Sequence, residues 1–305
     1  FLALSSSSVL LYGFQNISNK LFLGKKVTAK NNFSNYLKWG KENCSSGFST
    51  RNKSINFDNC WIYFSDKDLL TKQPKEKINI YSYGNSYNMQ LVPVLKQLIK
   101  NNKNKYEYKI NVVSCPGIPS SKITRLLKTN NPCVNTFQNY IKWSLNNSSD
   151  RSILLINTSM SSFSGKDILF DLNKNKVVST NYAKKVFADE LSSIGAKANS
   201  KQIDFYITSG IPHLLVNPVT CGNWFNQLNS KPCNSLDPNS KNLQLAPFED
   251  ILKLTSNDVI GINIYNELEK VLSTKKNISI YFKNINHISD QGALLLFPLL
   301  QKKLN

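Results

Sequence analysis

From Lys77 onward the apolar positions alternate between two periods. Ile78 to Tyr83 is a short β-rich run, and Tyr87 to Ile99 (YNMQLVPVLKQLI) sets Leu91, Leu95, Leu98 and Ile99 on one side of a helix. Tyr108 to Val113 predicts a second strand and Val134 to Leu145 a second amphipathic helix. Ser152 to Asn157 is almost wholly apolar, as a strand in the middle of a parallel sheet must be. Tyr182 to Ile194 then predicts a helix, and Ile203 to Thr208 a strand ending at Ser209-Gly210-Ile211-Pro212. Ile278 to Phe282 predicts a further strand and Gln291 to Leu304 a closing helix. This alternation predicts an α/β fold of three layers, α/β/α, around a central parallel sheet. There is no internal repeat.

The pattern is different before Lys77. Phe1 to Phe14 (FLALSSSSVLLYGF) is uncharged and apolar apart from a serine run. It is too short to span a bilayer and lacks the basic start of a signal peptide. Because the first residue is Phe and not Met, residues 1–15 are expected to be the end of a membrane helix that begins upstream, or equally a buried apolar segment. Residues 16–75 mix Asn, Ser and Lys with aromatic residues and hold two cysteines, which suits a connector containing a disulfide. The expected organisation is therefore 1–15, 16–75 and a domain at 76–305.

Composition narrows the class. A hydrophobic share of 41% in 305 residues supplies a core and excludes disorder over most of the length. The net charge of +19 comes from 38 Lys+Arg against 19 Asp+Glu, but Lys is spread along the chain beside Asn, as in Asn173-Lys174-Asn175-Lys176. No basic stripe interleaved with aromatics and no zinc-finger, helix-turn-helix or RNP pattern accompanies it, so no nucleic-acid partner is expected. The six cysteines contain no Cys-x-x-Cys, and with only two histidines no metal site is expected. Pairing sequence neighbours closes loops 44–60, 115–133 and 221–233, one of fifteen connectivities. Disulfides imply a lumenal or extracellular setting. Sequons at Asn16, Asn32, Asn43, Asn52, Asn146, Asn147, Asn157 and Asn277 permit glycosylation there, without arguing for it.

Two segments carry candidate chemistry. Gly84-Asn85-Ser86 ends a strand and opens a helix, the place where ligands sit in open α/β sheets. A serine there has an exposed hydroxyl, and its N–H at the helix start can help hold an oxyanion. A helix N-cap explains the same pattern. A serine nucleophile needs a base, and the histidines are His213 and His287. His287 lies in Asn284-Ile285-Asn286-His287-Ile288-Ser289-Asp290, again between a strand and a helix, so it and Ser86 are expected to meet at one sheet edge.

The order and spacing of these blocks resemble the SGNH hydrolase superfamily, in which a Gly-Asp-Ser block opens the domain and an Asp-x-x-His block closes it. The nearer resemblance is to the SGNH domain fused behind the membrane-embedded acyltransferase family 3 domain. Cys115-Pro116-Gly117, then Cys133 and the strand Ser152 to Asn157, match that pattern, as does His287-Ile288-Ser289-Asp290-Gln291-Gly292-Ala293 followed by Pro298. The match spans residues 76–304 and implies an SGNH, flavodoxin-like fold.

The resemblance also implies roles. Ser86 matches the nucleophile, His287 the base, and Gly117 the glycine whose N–H joins that of Ser86 in the oxyanion hole. Asn157 is a looser match for the side-chain donor of that hole, and a glycan on its sequon would exclude the role. Asn284 stands where the family has a carboxylate behind the histidine, and Asn85 where it has Asp. Another carboxylate, such as Asp58 or Asp204, would restore full activity if it lay behind the ring. The implied activity is acyl transfer, acetyl above all, to a carbohydrate or lipid hydroxyl. No cofactor is expected on this domain. Acyl-CoA is the expected donor to the upstream membrane domain, which would anchor this domain outside. The departures at Asn284 and Asn85 leave open a catalytically impaired binding module, and a free-standing secreted esterase is the remaining alternative.

Overall fold

The computed structural model describes residues 37–39, 44–45, 55–64, 76–102, 105–126, 133–148, 151–222 and 232–305. The apolar segment 1–15 and the sequons at Asn16, Asn32, Asn43 and Asn52 lie outside them. In chain order the strands are β1 (Leu37–Lys38), β2 (Trp61–Phe64), β3 (Glu76–Gly84), β4 (Tyr106–Ser114), β5 (Ile123–Arg125) and β6 (Arg151–Asn157). They continue with β7 (Leu169–Asp171), β8 (Lys176–Val178), β9 (Ile203–Thr208), β10 (Ile260–Ile262), β11 (Phe282–Asn284) and β12 (His287–Ile288). The helices are α1 (Ser86–Asn102), α2 (Cys133–Asn146), α3 (Thr180–Asn199), α4 (Ser240–Leu254), α5 (Ile264–Ser273), α6 (Asp290–Leu294) and α7 (Phe297–Leu304).

The central sheet runs β1-β2-β4-β3-β6-β9-β10. The five strands from β4 to β10 are parallel, while β2 pairs antiparallel with β4 and β1 antiparallel with β2. Part of the expected connector is thus built into the sheet, and the sheet is mostly rather than wholly parallel. Strand β3 is buried on both faces from Ile78 to Gly84, with Ile78 and Ile80 toward one helical layer and Tyr81 and Tyr83 toward the other. Helices α1, α5 and α7 cover the first face and α2, α3 and α4 the second. Leu91, Leu95 and Leu98 of α1 are essentially sealed from solvent. Each is worth about 1.5–3 kcal/mol relative to exposure, which fixes α1 against the sheet.

Two C-terminal expectations are corrected. Ile278 to Phe282 does not enter the sheet: Ser279–Tyr281 is a 3-10 turn, and Phe282 begins a two-stranded hairpin of β11 with β12. Ile278 and Phe282 are buried but Ile280 between them is only partly so, which breaks the period of two that a half-buried strand needs. The closing helix is two helices, with Pro298 in the first turn of the second, where a residue without an N–H is tolerated.

All three disulfides join sequence neighbours, Cys44–Cys60, Cys115–Cys133 and Cys221–Cys233, with Cα separations of 5.4, 5.5 and 5.7 Å. No helix among the described residues is long and apolar enough to cross a membrane.

Candidate active site

Strand β3 lies between β4 and β6. The chain leaves β3 for β4 on one side and then crosses back past β3 to β6 on the other, which opens a crevice beyond the carboxyl ends of β3 and β6. Gly84 ends β3 against the end of β6. A Cβ at this position would lie 1.7 Å from the Asn157 carbonyl oxygen, so no other residue fits. The next residue, Asn85, ties three loops together. Its Oδ1 accepts from the N–H of Tyr87 at 3.0 Å and of Ser159 at 3.4 Å. Its Nδ2 donates to Thr158 Oγ1 at 2.8 Å and to the Gly117 carbonyl at 3.5 Å. Within the first turn of α1 the buried Asn88 donates to the carbonyls of Ser82 and Val113 and accepts from Ser82 Oγ. Helix α1 therefore starts at a fixed place, with exposed Ser86 as its first residue.

The β11–β12 hairpin brings His287 to that point. His287 Nε2 lies 2.9 Å from Ser86 Oγ, and Nδ1 lies 2.9 Å from Asn284 Oδ1. Asn284 Oδ1 also accepts from the Asn286 N–H at 3.1 Å, which sets the orientation of the amide. An amide oxygen only accepts, so Nδ1 carries the proton and Nε2 is the free lone pair facing the serine hydroxyl. Burial holds the imidazole below its ordinary pKa, and the nearby Lys283 ammonium adds to the effect. The ring is thus neutral at neutral pH, the form that accepts a proton. Asn284 orients it but offers no charge to an imidazolium.

The other sequence-predicted residues divide. Gly117, in the loop after β4, has a φ of 126°, a conformation that only glycine adopts freely, and its carbonyl is held by Asn85. Asn157 is not brought to the crevice. It is buried, its Nδ2 donates to the Tyr87 carbonyl at 2.7 Å, and its Oδ1 accepts from Thr208 Oγ1. Its amide props the first turn of α1, and a sealed side chain leaves no room for a glycan. The group behind His287 is Asn284 and not Asp58 or Asp204. Asp58 lies in the 3-10 turn Phe57–Asn59, and Asp204 near the start of β9, at the opposite end of the sheet from Ser86.

A buried polar network beneath the pair was not foreseen. The Tyr87 hydroxyl lies 3.0 Å from His213 Nε2, and Gln244 Nε2 lies within 3.3 Å of both that hydroxyl and that nitrogen. Gln244 Oε1 accepts from the Met160 N–H and from Ser159 Oγ. The Tyr87 ring in turn packs against the His287 ring, centroids 5.8 Å apart. Burial pushes His213 down to about 4, so it sits neutral in this network. Partners 126 and 157 positions apart leave no local signal in the sequence. Above the pair opens a groove of about 410 Å³, walled by Trp39, Met89, Pro93, Lys96, Lys283 and Asp290. Among the described residues no group of His, Cys, Asp and Glu side chains is placed to hold a metal ion.

No curated protein matches the chain. Among solved structures it is similar to the lipopolysaccharide acetyltransferase periplasmic domain of Salmonella ser. Paratyphi A, at 17% identity over 86% of this chain and 91% of that one, with a TM-score of 0.51. A putative acylhydrolase of Bacteroides fragilis NCTC 9343 is 14% identical over 78% of this chain and 91% of its own, with a TM-score of 0.40. A GDSL-like lipase of Bacteroides thetaiotaomicron VPI-5482 is 14% identical over 74% and 87%, with a TM-score of 0.38. The model of the SGNH domain fused to AT3 domains matches residues 43–302. With that match over most of its length, the chain belongs to the family of SGNH domains associated with AT3 acyltransferases.

Proposed function

We propose that this domain is an O-acyltransferase module in which Ser86 is the nucleophile and His287 the general base. The observation that carries the reading is the 2.9 Å contact between Ser86 Oγ and the unprotonated Nε2 of His287. The Ser86 proton passes to Nε2 as Oγ attacks the acyl carbonyl. The N–H groups of Ser86 and Gly117 hold the negative oxygen of the tetrahedral intermediate. Collapse releases the leaving group, which takes the proton from His287, and leaves an acyl-serine. A hydroxyl of a carbohydrate or lipid acceptor, or water, then attacks with His287 again as base, and Ser86 regains its proton.

The acetyl group is the donor moiety we favour, in keeping with the acetyltransferase whose periplasmic domain shares the fold. Family membership supports an AT3 membrane domain as partner; in our reading that domain is fed by acyl-CoA and anchors this one to the membrane. Three disulfides support an extracytoplasmic position, where exposed Asn146, Asn147 and Asn277 would be open to glycosylation. The domain itself needs no cofactor for this chemistry. Labelling with a fluorophosphonate and turnover of p-nitrophenyl acetate test the assignment. Both are expected in the native protein and lost in Ser86→Ala, and turnover that survives the substitution overturns it.

Asn284 favours a second reading, a binding module that keeps the fold without turnover. A folded native protein that is silent to the fluorophosphonate would select it.

A further inference from the structure

We infer that Gln90 is a positioning residue that holds Ser86 and His287 in register, an inference that rests on the function proposed above. Gln90 stands one helical turn beyond Ser86 on the same face of α1. Its Oε1 accepts from the N–H of Ile288, the residue after His287, at 2.7 Å. Its Nε2 donates to the Ser86 carbonyl at 3.3 Å. One amide thus touches the backbone of both segments of a pair that lies 201 positions apart in the chain.

The orientation of that amide follows from its partners. The Ile288 N–H can only donate and the Ser86 carbonyl can only accept, so the oxygen must face the hairpin and the nitrogen the helix. Glutamine supplies both functions from one planar group. Glutamate would keep only the acceptor, and leucine neither.

The need for such a tie comes from the topology. Among the described residues strand β12 pairs only with β11, in a two-stranded hairpin separate from the central sheet. No sheet ladder therefore fixes His287 relative to α1. Buried Ile288 seats the hairpin by apolar packing, which sets depth more than direction. A hydrogen bond from the Leu214 N–H to the Ile285 carbonyl fixes the hairpin's turn to the loop after β9, and the Gln90 bond fixes its second strand to α1, one residue from the imidazole. A displacement near 1 Å at a reacting pair costs on the order of 100-fold in rate.

The experiment compares Gln90→Leu and Gln90→Glu with the native domain by p-nitrophenyl acetate turnover and by NMR titration of the histidines, of which there are only two. In Gln90→Leu, kcat is expected to fall about 10- to 100-fold with KM and Tm nearly unchanged, and the His287 titration to move toward that of a free imidazole. Gln90→Glu restores the acceptor for Ile288 and sets a carboxylate near the ring. Its kcat is expected between those of Leu and native, and its His287 pKa above native. An unchanged kcat and His287 titration in Gln90→Leu would overturn the inference, as would a loss of rate that merely follows a loss of Tm. If Ser86→Ala turns over substrate as the native protein does, the proposed function fails, and the His287 titration alone then decides whether Gln90 places the ring.

Discussion

Asn284 Oδ1 accepts the Nδ1 proton of His287 at 2.9 Å, so the imidazole is oriented by a neutral group. Geometry and charge, which a carboxylate supplies together, are separated here. The ring is held in the tautomer that presents Nε2 to Ser86, yet the imidazolium formed on proton transfer meets no counter-charge from this partner.

Asn284→Asp should therefore raise activity. The carboxylate occupies nearly the same volume, keeps the acceptor for Nδ1 and adds a negative charge that stabilises the imidazolium. The expected gain in kcat is about 10- to 1,000-fold, below the full cost of the reverse change in an optimised serine triad, because the neighbouring Lys283 offsets part of it. Turnover of p-nitrophenyl acetate reads the effect. A rate equal to that of the native domain would show that proton transfer to His287 does not limit the reaction.

The pH profile carries a second expectation. His287 titrates below its ordinary value because it is partly buried and faces Lys283. Protonation removes the lone pair that accepts from Ser86, so kcat/KM should fall as pH drops through a midpoint below about 6.5. Lys283→Gln removes the repulsion and leaves the burial. Its acid limb should move up in pH, toward 6.5 without reaching it. A limb that stays in place would mean that Lys283 is too well screened by solvent to act on the ring.

The framework of the fold was legible because central parallel strands are buried on both faces and read as continuous apolar runs. The expected strand at Ile203 to Thr208 coincides with β9, and those at β3, β4 and β6 differ only at their ends. Helix α4 was obscured by Pro247 in its interior, and β10 is only three residues long. Helix α5 carries Ile264, Tyr265, Leu268 and Leu272 at helical spacing, a plain signal that the expected alternation omitted. The site is a subtler case. Ser86 and His287 were expected to meet because both follow strands of one sheet, but His287 arrives on a separate hairpin. The alternation of elements does not contain that route. Nor could spacing reveal that Asn157 is spent on the Tyr87 carbonyl, since its partner lies 70 positions away.

His213 should make the fold sensitive to acid. Its folded pKa of about 4 lies below the ordinary 6.5 because the ring is buried. Between those values the unfolded chain binds the extra proton and the folded one does not, so stability falls as pH drops from about 6.5 to 4. The amount is on the order of 3 kcal/mol at the acid end of that window. His213→Gln keeps a polar partner for the Tyr87 hydroxyl and removes the titration. Chemical denaturation at pH 7 and pH 4.5 should show a smaller difference for the variant than for the native domain. Equal differences would assign the acid sensitivity to carboxylates instead.

Asn85 joins the start of α1 to the loops that follow β4 and β6, so its loss should be felt in both stability and rate. Asn85→Ala removes the acceptor for the Tyr87 and Ser159 N–H groups and the donor to Thr158 Oγ1 and the Gly117 carbonyl. The lost cap alone costs about 1–2 kcal/mol. Release of the Gly117 loop should also lower kcat, if the Gly117 N–H helps hold the oxyanion. Asn85→Asp separates the two effects, because a carboxylate keeps the acceptor for the helix N–H groups but cannot donate to the Gly117 carbonyl. The expected order of stability is native, then Asp, then Ala, while kcat of the Asp variant should lie nearer to that of Ala. An Asp variant with native kcat would mean that the Gly117 loop is held without the amide, by the Cys115–Cys133 disulfide beside it.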